Sequence, residues 1–162
     1  MNTHAKHLLA IMLLIFTFAS VSDAAESLSP WGAAPELIRI YSKQKVVFDA
    51  HSSSVEDMVS VLDRASYISK LNGADPFDNK IVVVLHGGVV SLFGSKNYAK
   101  YKDLMKRAQS LTVGGIIEFR MCKVSAKSQG YEPKDIHGFV SMVPMGDAEI
   151  IQLQQNGYAY MQ

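Results

Sequence analysis

Ile81-Val-Val-Val-Leu85-His86-Gly87-Gly88 decides the fold. Five apolar residues, four of them β-branched, predict a strand covered on both faces. Such strands belong to parallel sheets with helices above and below. His86-Gly87-Gly88 ends the run, because paired glycines allow a tight turn and a close backbone approach.

Working outward, Lys45-Val-Val-Phe-Asp-Ala50 reads as a first strand. Ser53-Ser54-Val55-Glu56 has capping-box spacing. Val55, Met58, Val59, Leu62, Ala65 and Ile68 then recur at helical spacing, and Asn72-Gly73 is a stop. A second helix is predicted over Asn97–Ser110, with Tyr98, Tyr101, Leu104, Met105 and Ala108 on one face. Gly114-Gly115 breaks it, and Ile116–Met121 is a third strand. Cys122 and a short helix follow, then a fourth strand over His137–Val143. Asp147 is expected to cap a last helix that ends at Asn156-Gly157, before a short strand at Tyr158–Met161. The order βαβαβαβαβ predicts an α/β/α sandwich on a mainly parallel five-stranded sheet.

The rest of the chain sets limits. Its 162 residues suffice for one domain, here 45–162, and 48% hydrophobic residues exclude a disordered chain. Sixteen Lys+Arg against fifteen Asp+Glu leave a net charge of +1, without the basic excess of a nucleic-acid binder. One cysteine excludes an intramolecular disulfide and a cysteine-only zinc site. Neither a dinucleotide-binding glycine motif nor a P-loop is present, and no cofactor is implied. At the N-terminus, Lys6 precedes an apolar run from Leu8 to Ala19, too short to span a membrane, and Ser22-Asp23-Ala24 offers a cleavage site after Ala24. Residues 1–24 thus read as a signal peptide of a periplasmic or otherwise secreted protein with no stable membrane insertion. Residues 25–44, with Pro30, Gly32 and Pro35, read as an irregular lead-in packed down by Trp31 and Ile38.

Ligands of such sheets gather outside the carboxyl ends of the strands. That rule selects His51, His86-Gly87-Gly88 and Cys122. Cys122 is the first candidate, because a strand-to-helix handover puts its sulfur near free N–H groups. Arg120, two residues back on the same strand face, and Lys123 add positive charge and are candidate anion ligands with Gly87 and Gly88. His86 is a candidate partner for the thiol. His51, His86 and Cys122 together offer imidazole and thiolate ligands for a transition metal. His137, beside Gly138, is assigned to a turn. Tyr98, Tyr101, Tyr158 and Tyr160 suggest an oligomer interface.

Four segments carry a family resemblance: Ile81–Gly88, Glu118-Phe-Arg-Met-Cys122, Gly130-Tyr-Glu-Pro133 and Gly157-Tyr-Ala-Tyr160. In their order and separation the chain, from about residue 45 onward, resembles the DsrE/DsrF-like proteins and their small secreted branch. The resemblance implies a flavodoxin-like α/β/α domain that assembles into homo-oligomers. It also implies sulfur relay, in which a cysteine after a central strand accepts sulfur as a persulfide and passes it on. That role carries over to Cys122 alone, and His86 matches the strand-two histidine of the secreted branch. An exported relay protein would need a sulfur donor and acceptor of its own, a protein or a small sulfur compound such as thiosulfate or polysulfide. The alternative reading is a non-catalytic oligomeric binding module, holding a small anion or a transition metal at the His51/His86/Cys122 edge. A third is an exported structural subunit.

Overall fold

The structure is a computed structural model that describes residues 30–75 and 80–162. The chain forms two units, Met1–Arg39 and Ile40–Gln162. The expected signal peptide lies outside the described residues. Of the first unit, residues 30–39 carry neither helix nor strand, and Trp31 and Ile38 are exposed rather than packed down.

The second unit holds five strands: β1 (Val46–Ala50), β2 (Ile81–Leu85), β3 (Ile117–Cys122), β4 (Val140–Val143) and β5 (Ala159–Met161). All pair in parallel, in the order β4-β3-β2-β1-β5. The helices are α1 (Val55–Leu71), α2 (Lys102–Leu111), α3 (Lys123–Ser128) and α4 (Gly146–Gln155). The layers are those of a flavodoxin-like sandwich, although the strand order is not the 2-1-3-4-5 of flavodoxin itself.

That order decides which helix covers which face. From β1 to β4 each step moves the same way across the sheet, so crossovers of one hand put their helices on one side. Met58 and Leu62 of α1, Leu104 and Met105 of α2 and Ala126 of α3 accordingly share a core with Phe48, Val83, Leu85, Phe119 and Met121. The return from β4 to β5 runs the other way. Its helix, α4, packs Ile150 and Leu153 on Val47, Val82 and Val84.

Several boundaries move, each for a local reason. The cap of α1 is Ser54, whose Oγ accepts from the Asp57 N–H at 3.1 Å, and Glu56 takes the Ser54 hydroxyl instead of closing a box from Ser53. The predicted helix over 97–110 splits into a 3₁₀ turn, Ser95–Asn97, and α2. Asn97 turns its amide back to the Ser91 carbonyl and the Tyr131 hydroxyl, competing with helix continuation. β4 begins only at Val140, after a turn at Gly138-Phe139 in which the Val140 N–H reaches the His137 carbonyl. Asp147 is not the cap of α4: the helix starts at Gly146, with Asp147 in its first turn, where a carboxylate still favours the helix dipole.

Candidate functional site: a thiol and an Asp–His pair at the carboxyl edge

The strand register builds the site. Ala50 pairs with Leu85, and Leu85 with Met121. One residue further along each strand, His51, His86 and Cys122 stand in a row across the carboxyl edge. Alternation turns Cys122 to the same face as Arg120, and His86 to the same face as Val84. This is the α4 face, which Asp49 of β1 and Tyr160 of β5 also share by their register with Val84 and Val47. The row ends, at Cys122, beside a topological switch point: the chain leaves β3 for α3 on one side of the sheet, and leaves the neighbouring β4 for α4 on the other.

Cys122 is both the last residue of β3 and the N-cap of α3, and it is 4% exposed. The Ser125 N–H points at its sulfur at 3.4 Å. Burial by itself would push the thiol up. The Ser125 hydroxyl and N–H, with the N–H groups of Gly146 and Val124, outweigh it and hold the thiol below its ordinary value. Donors from the starts of two helices therefore converge on one sulfur. Gly146 makes this approach possible. A Cβ at that position would lie 3.2 Å from the Cys122 Cβ and 3.3 Å from the His86 Cβ.

His86 closes against Asp49 rather than against the thiol. Its Nε2 lies 2.5 Å from Asp49 Oδ1, and the Tyr160 hydroxyl donates to Asp49 Oδ2 at 2.7 Å. Among the described residues no hydrogen bond joins His86 to Cys122; the two flank Gly146 as close neighbours. The Asp49 side chain is 12% exposed. Burial works to raise its carboxyl, but the hydrogen bonds from Tyr160 and His86, with the charges of His86 and His51, hold it below the usual value. The same bond raises the Tyr160 phenol. His51 Nδ1 lies 3.6 Å from Asp49 Oδ1, and the two imidazole rings are 5.8 Å apart. Asp49, not Cys122, is thus the third member of the cluster that holds the two histidines.

The other expected ligands have other occupations. A Cβ on Gly87 would meet the His51 carbonyl at 3.2 Å, and one on Gly88 would meet the Ser53 Cβ at 3.0 Å. The glycines therefore bring two backbone segments together, and the Gly87 carbonyl accepts from the Gln129 amide at 2.6 Å. Arg120 is clamped by Glu118 and Glu149, so its charge is neutralised beside the thiol. Lys123 is exposed and lines a second cleft of about 250 Å³ with Lys127, Tyr131 and Glu132. His137 stacks on Phe139 ahead of the turn; burial lowers its pKa, and its Nε2 has no partner among the described residues. Of the four tyrosines, Tyr98 and Tyr160 keep exposed surface. Tyr158 joins the α4 core, Tyr101 packs on the larger one, and Tyr98 meets the His137 ring.

Asp49, Ser125 and Gly146 carry this geometry without being picked out from the sequence, and Tyr160 is singled out there only for an interface and for the family resemblance. Asp49 left a trace, as an acid inside an otherwise apolar strand. The other three depend on strand order and on where α4 begins.

Fold and edge together define a parallel α/β protein with a hydrogen-bonded thiol at a sheet switch point. The profile of the DsrE/DsrF-like family matches residues 43–162, and the chain belongs to that family. A solved structure of a protein of unknown function from Methanobacterium thermoautotrophicum is similar, at 25% identity and a TM-score of 0.56, over 73% of this chain and 97% of that one. No curated protein matches the chain significantly.

Proposed function

We propose that the protein is an exported sulfur carrier of the DsrE/DsrF-like family, with Cys122 as the residue that is loaded. The observation that carries this reading is the Cys122 sulfur at the junction of β3 and α3, with the Ser125 N–H aimed at it at 3.4 Å; burial is outweighed by the Ser125 hydroxyl and the N–H groups of Ser125, Gly146 and Val124, which hold the thiol below its ordinary value. Family membership supports it, since sulfur relay is the family's general activity. In the loading step the Cys122 thiolate attacks the outer sulfur of a persulfide or polysulfide donor. The donor's S–S bond breaks, its remainder leaves as a thiolate (as sulfite when the donor is thiosulfate), and Cys122 becomes a persulfide with no external oxidant needed. The N–H groups that hold the thiolate would stabilise the anionic persulfide in the same way. The sulfur's slight exposure favours small donors over bulky disulfides.

Export rests on the residue pattern of 1–24, with cleavage after Ala24. Homo-oligomerisation is part of the same reading. The exposed side chains of Val124 and Met145, next to the thiol's hydrogen-bond donors, offer apolar surface to a second copy or to a donor protein.

Intact-mass spectrometry tests the proposal. The reduced protein is treated with polysulfide or thiosulfate beside Cys122→Ser. A gain of about 32 Da, confined to the wild type and reversed by a thiol reductant, is the expected result. No adduct on folded wild type, or an equal gain in the variant, contradicts it. The same spectrum of protein recovered from cells locates the mature N-terminus.

A further inference from the structure

We infer that Asp49, His51 and His86 form a binding site for a divalent first-row transition metal, separate from the thiol. Each of the three offers one ligand atom, and these atoms all lie within 4.8 Å of one another. Two imidazoles and one carboxylate are a donor set for Zn²⁺, Fe²⁺ or Co²⁺, and too soft and too poor in oxygen for Ca²⁺ or Mg²⁺. Bonds of roughly 2.0–2.2 Å to one ion would put neighbouring ligand atoms about 3.3 Å apart. Asp49 Oδ1 and His51 Nδ1, at 3.6 Å, already stand near that spacing. Asp49 Oδ1 and His86 Nε2 are hydrogen-bonded at 2.5 Å, and the ion would take the place of that hydrogen bond with a sub-ångström opening of the pair.

Two further features favour a metal over a bare hydrogen bond. The Tyr160 hydroxyl holds Asp49 Oδ2 at 2.7 Å, so the carboxylate presents Oδ1 to the imidazoles, as an outer-shell partner does for a ligating carboxylate. A cleft of about 230 Å³ opens on Asp49 and His51, bounded by Ser52, Asp57 and Arg64. It leaves room for the water or anion that would complete the coordination. Cys122 is not in the donor set, and its sulfur already has its own N–H partners. Because His86 belongs to both neighbourhoods, a bound ion would fix the ring beside the thiol without consuming the thiol.

The test is Co²⁺ titration of the reduced full-length chain, followed by visible absorption and by competition with a chelator and with Zn²⁺. The inference predicts one equivalent bound, without a sulfur-to-cobalt charge-transfer band, and retained in Cys122→Ser. His51→Ala should weaken binding at least tenfold while leaving the circular dichroism spectrum unchanged, since that side chain is 56% exposed. Asp49→Asn should also weaken it. Three results overturn the inference: no Co²⁺ bound by folded wild type, unchanged affinity in His51→Ala, or a charge-transfer band that disappears in Cys122→Ser. The persulfide test above is read on Cys122 by mass, so failure of one leaves the other standing.

Discussion

The two faces of the sheet are cut from the same five strands and carry different contents. Toward α1, α2 and α3, the inward positions are Val46, Phe48, Ala50, Ile81, Val83, Leu85, Ile117, Phe119 and Met121, all apolar and buried. Toward α4, only Val47, Val82 and Val84 join the apolar core of that side, and the other positions include Asp49, Glu118, Arg120, Cys122 and Tyr160. One helix covers what three cover on the opposite side, so polar groups there remain near water or near each other. The division of labour follows from strand order. Three crossovers in one direction stack the apolar core, and the single return leaves a partly open face with its crevice at Cys122.

The sharpest way to break this comparison is a deletion in the apolar face. Phe119→Ala should cost about 3–5 kcal/mol in denaturant unfolding, while the alkylation rate of Cys122 in the folded fraction stays unchanged. A large change in that rate would mean that the two faces are not separable.

Asp49→Asn, on the other face, should cost about 1–3 kcal/mol near neutral pH by loosening His86 and Tyr160. It should also change the acid limb of the stability curve. The folded Asp49 carboxyl lies below its ordinary value of 3.8. Its contribution is therefore present above that value and lost as pH falls through the lower, folded one. Urea midpoints measured down the acid range should show this loss in wild type and its absence in the variant.

Gly146→Ala sharpens the comparison by separating stability from reactivity. A helix gains up to about 1 kcal/mol from alanine over glycine, and crowding against Cys122 and His86 opposes that gain. The net change in stability should stay within about 1 kcal/mol, while alkylation at neutral pH slows as the Cys122 sulfur is displaced from its donors. An unaltered rate would show that the close approach does not matter to the thiol. Tyr160→Phe should cost roughly 0.5–1.5 kcal/mol by thermal unfolding. It should also leave Cys122 alkylation unchanged, because the phenol touches Asp49 and not the thiol.

Much of the fold was legible because the strands are strongly patterned. The all-apolar Ile81–Leu85 run signals two-sided burial, and the α1 residues Met58, Leu62 and Ala65 are buried as their spacing implies. Boundaries slipped where a side chain competes with the backbone, as at Asn97, or where a helix starts without a side-chain cap, as at Gly146. The placement of Cys122 at a strand end and helix start was also readable, because it depends on local order alone. The partner of His86 was not. Asp49 lies 37 residues away in sequence, and the pairing appears only once β1 and β2 are set in register. The partners of Arg120 were hidden for a related reason: alternation put it on the thiol's face, and Glu149 arrives from α4 to pair with it.

The most direct measurement is the pH dependence of Cys122 alkylation by iodoacetamide in the folded, reduced protein. A thiolate held by the Ser125 hydroxyl and the N–H groups of Ser125, Gly146 and Val124 against the opposing effect of burial predicts a midpoint below the ordinary thiol value of 9.0. A midpoint at or above that value would make Cys122 a buried packing residue and contradict its role as the loaded sulfur.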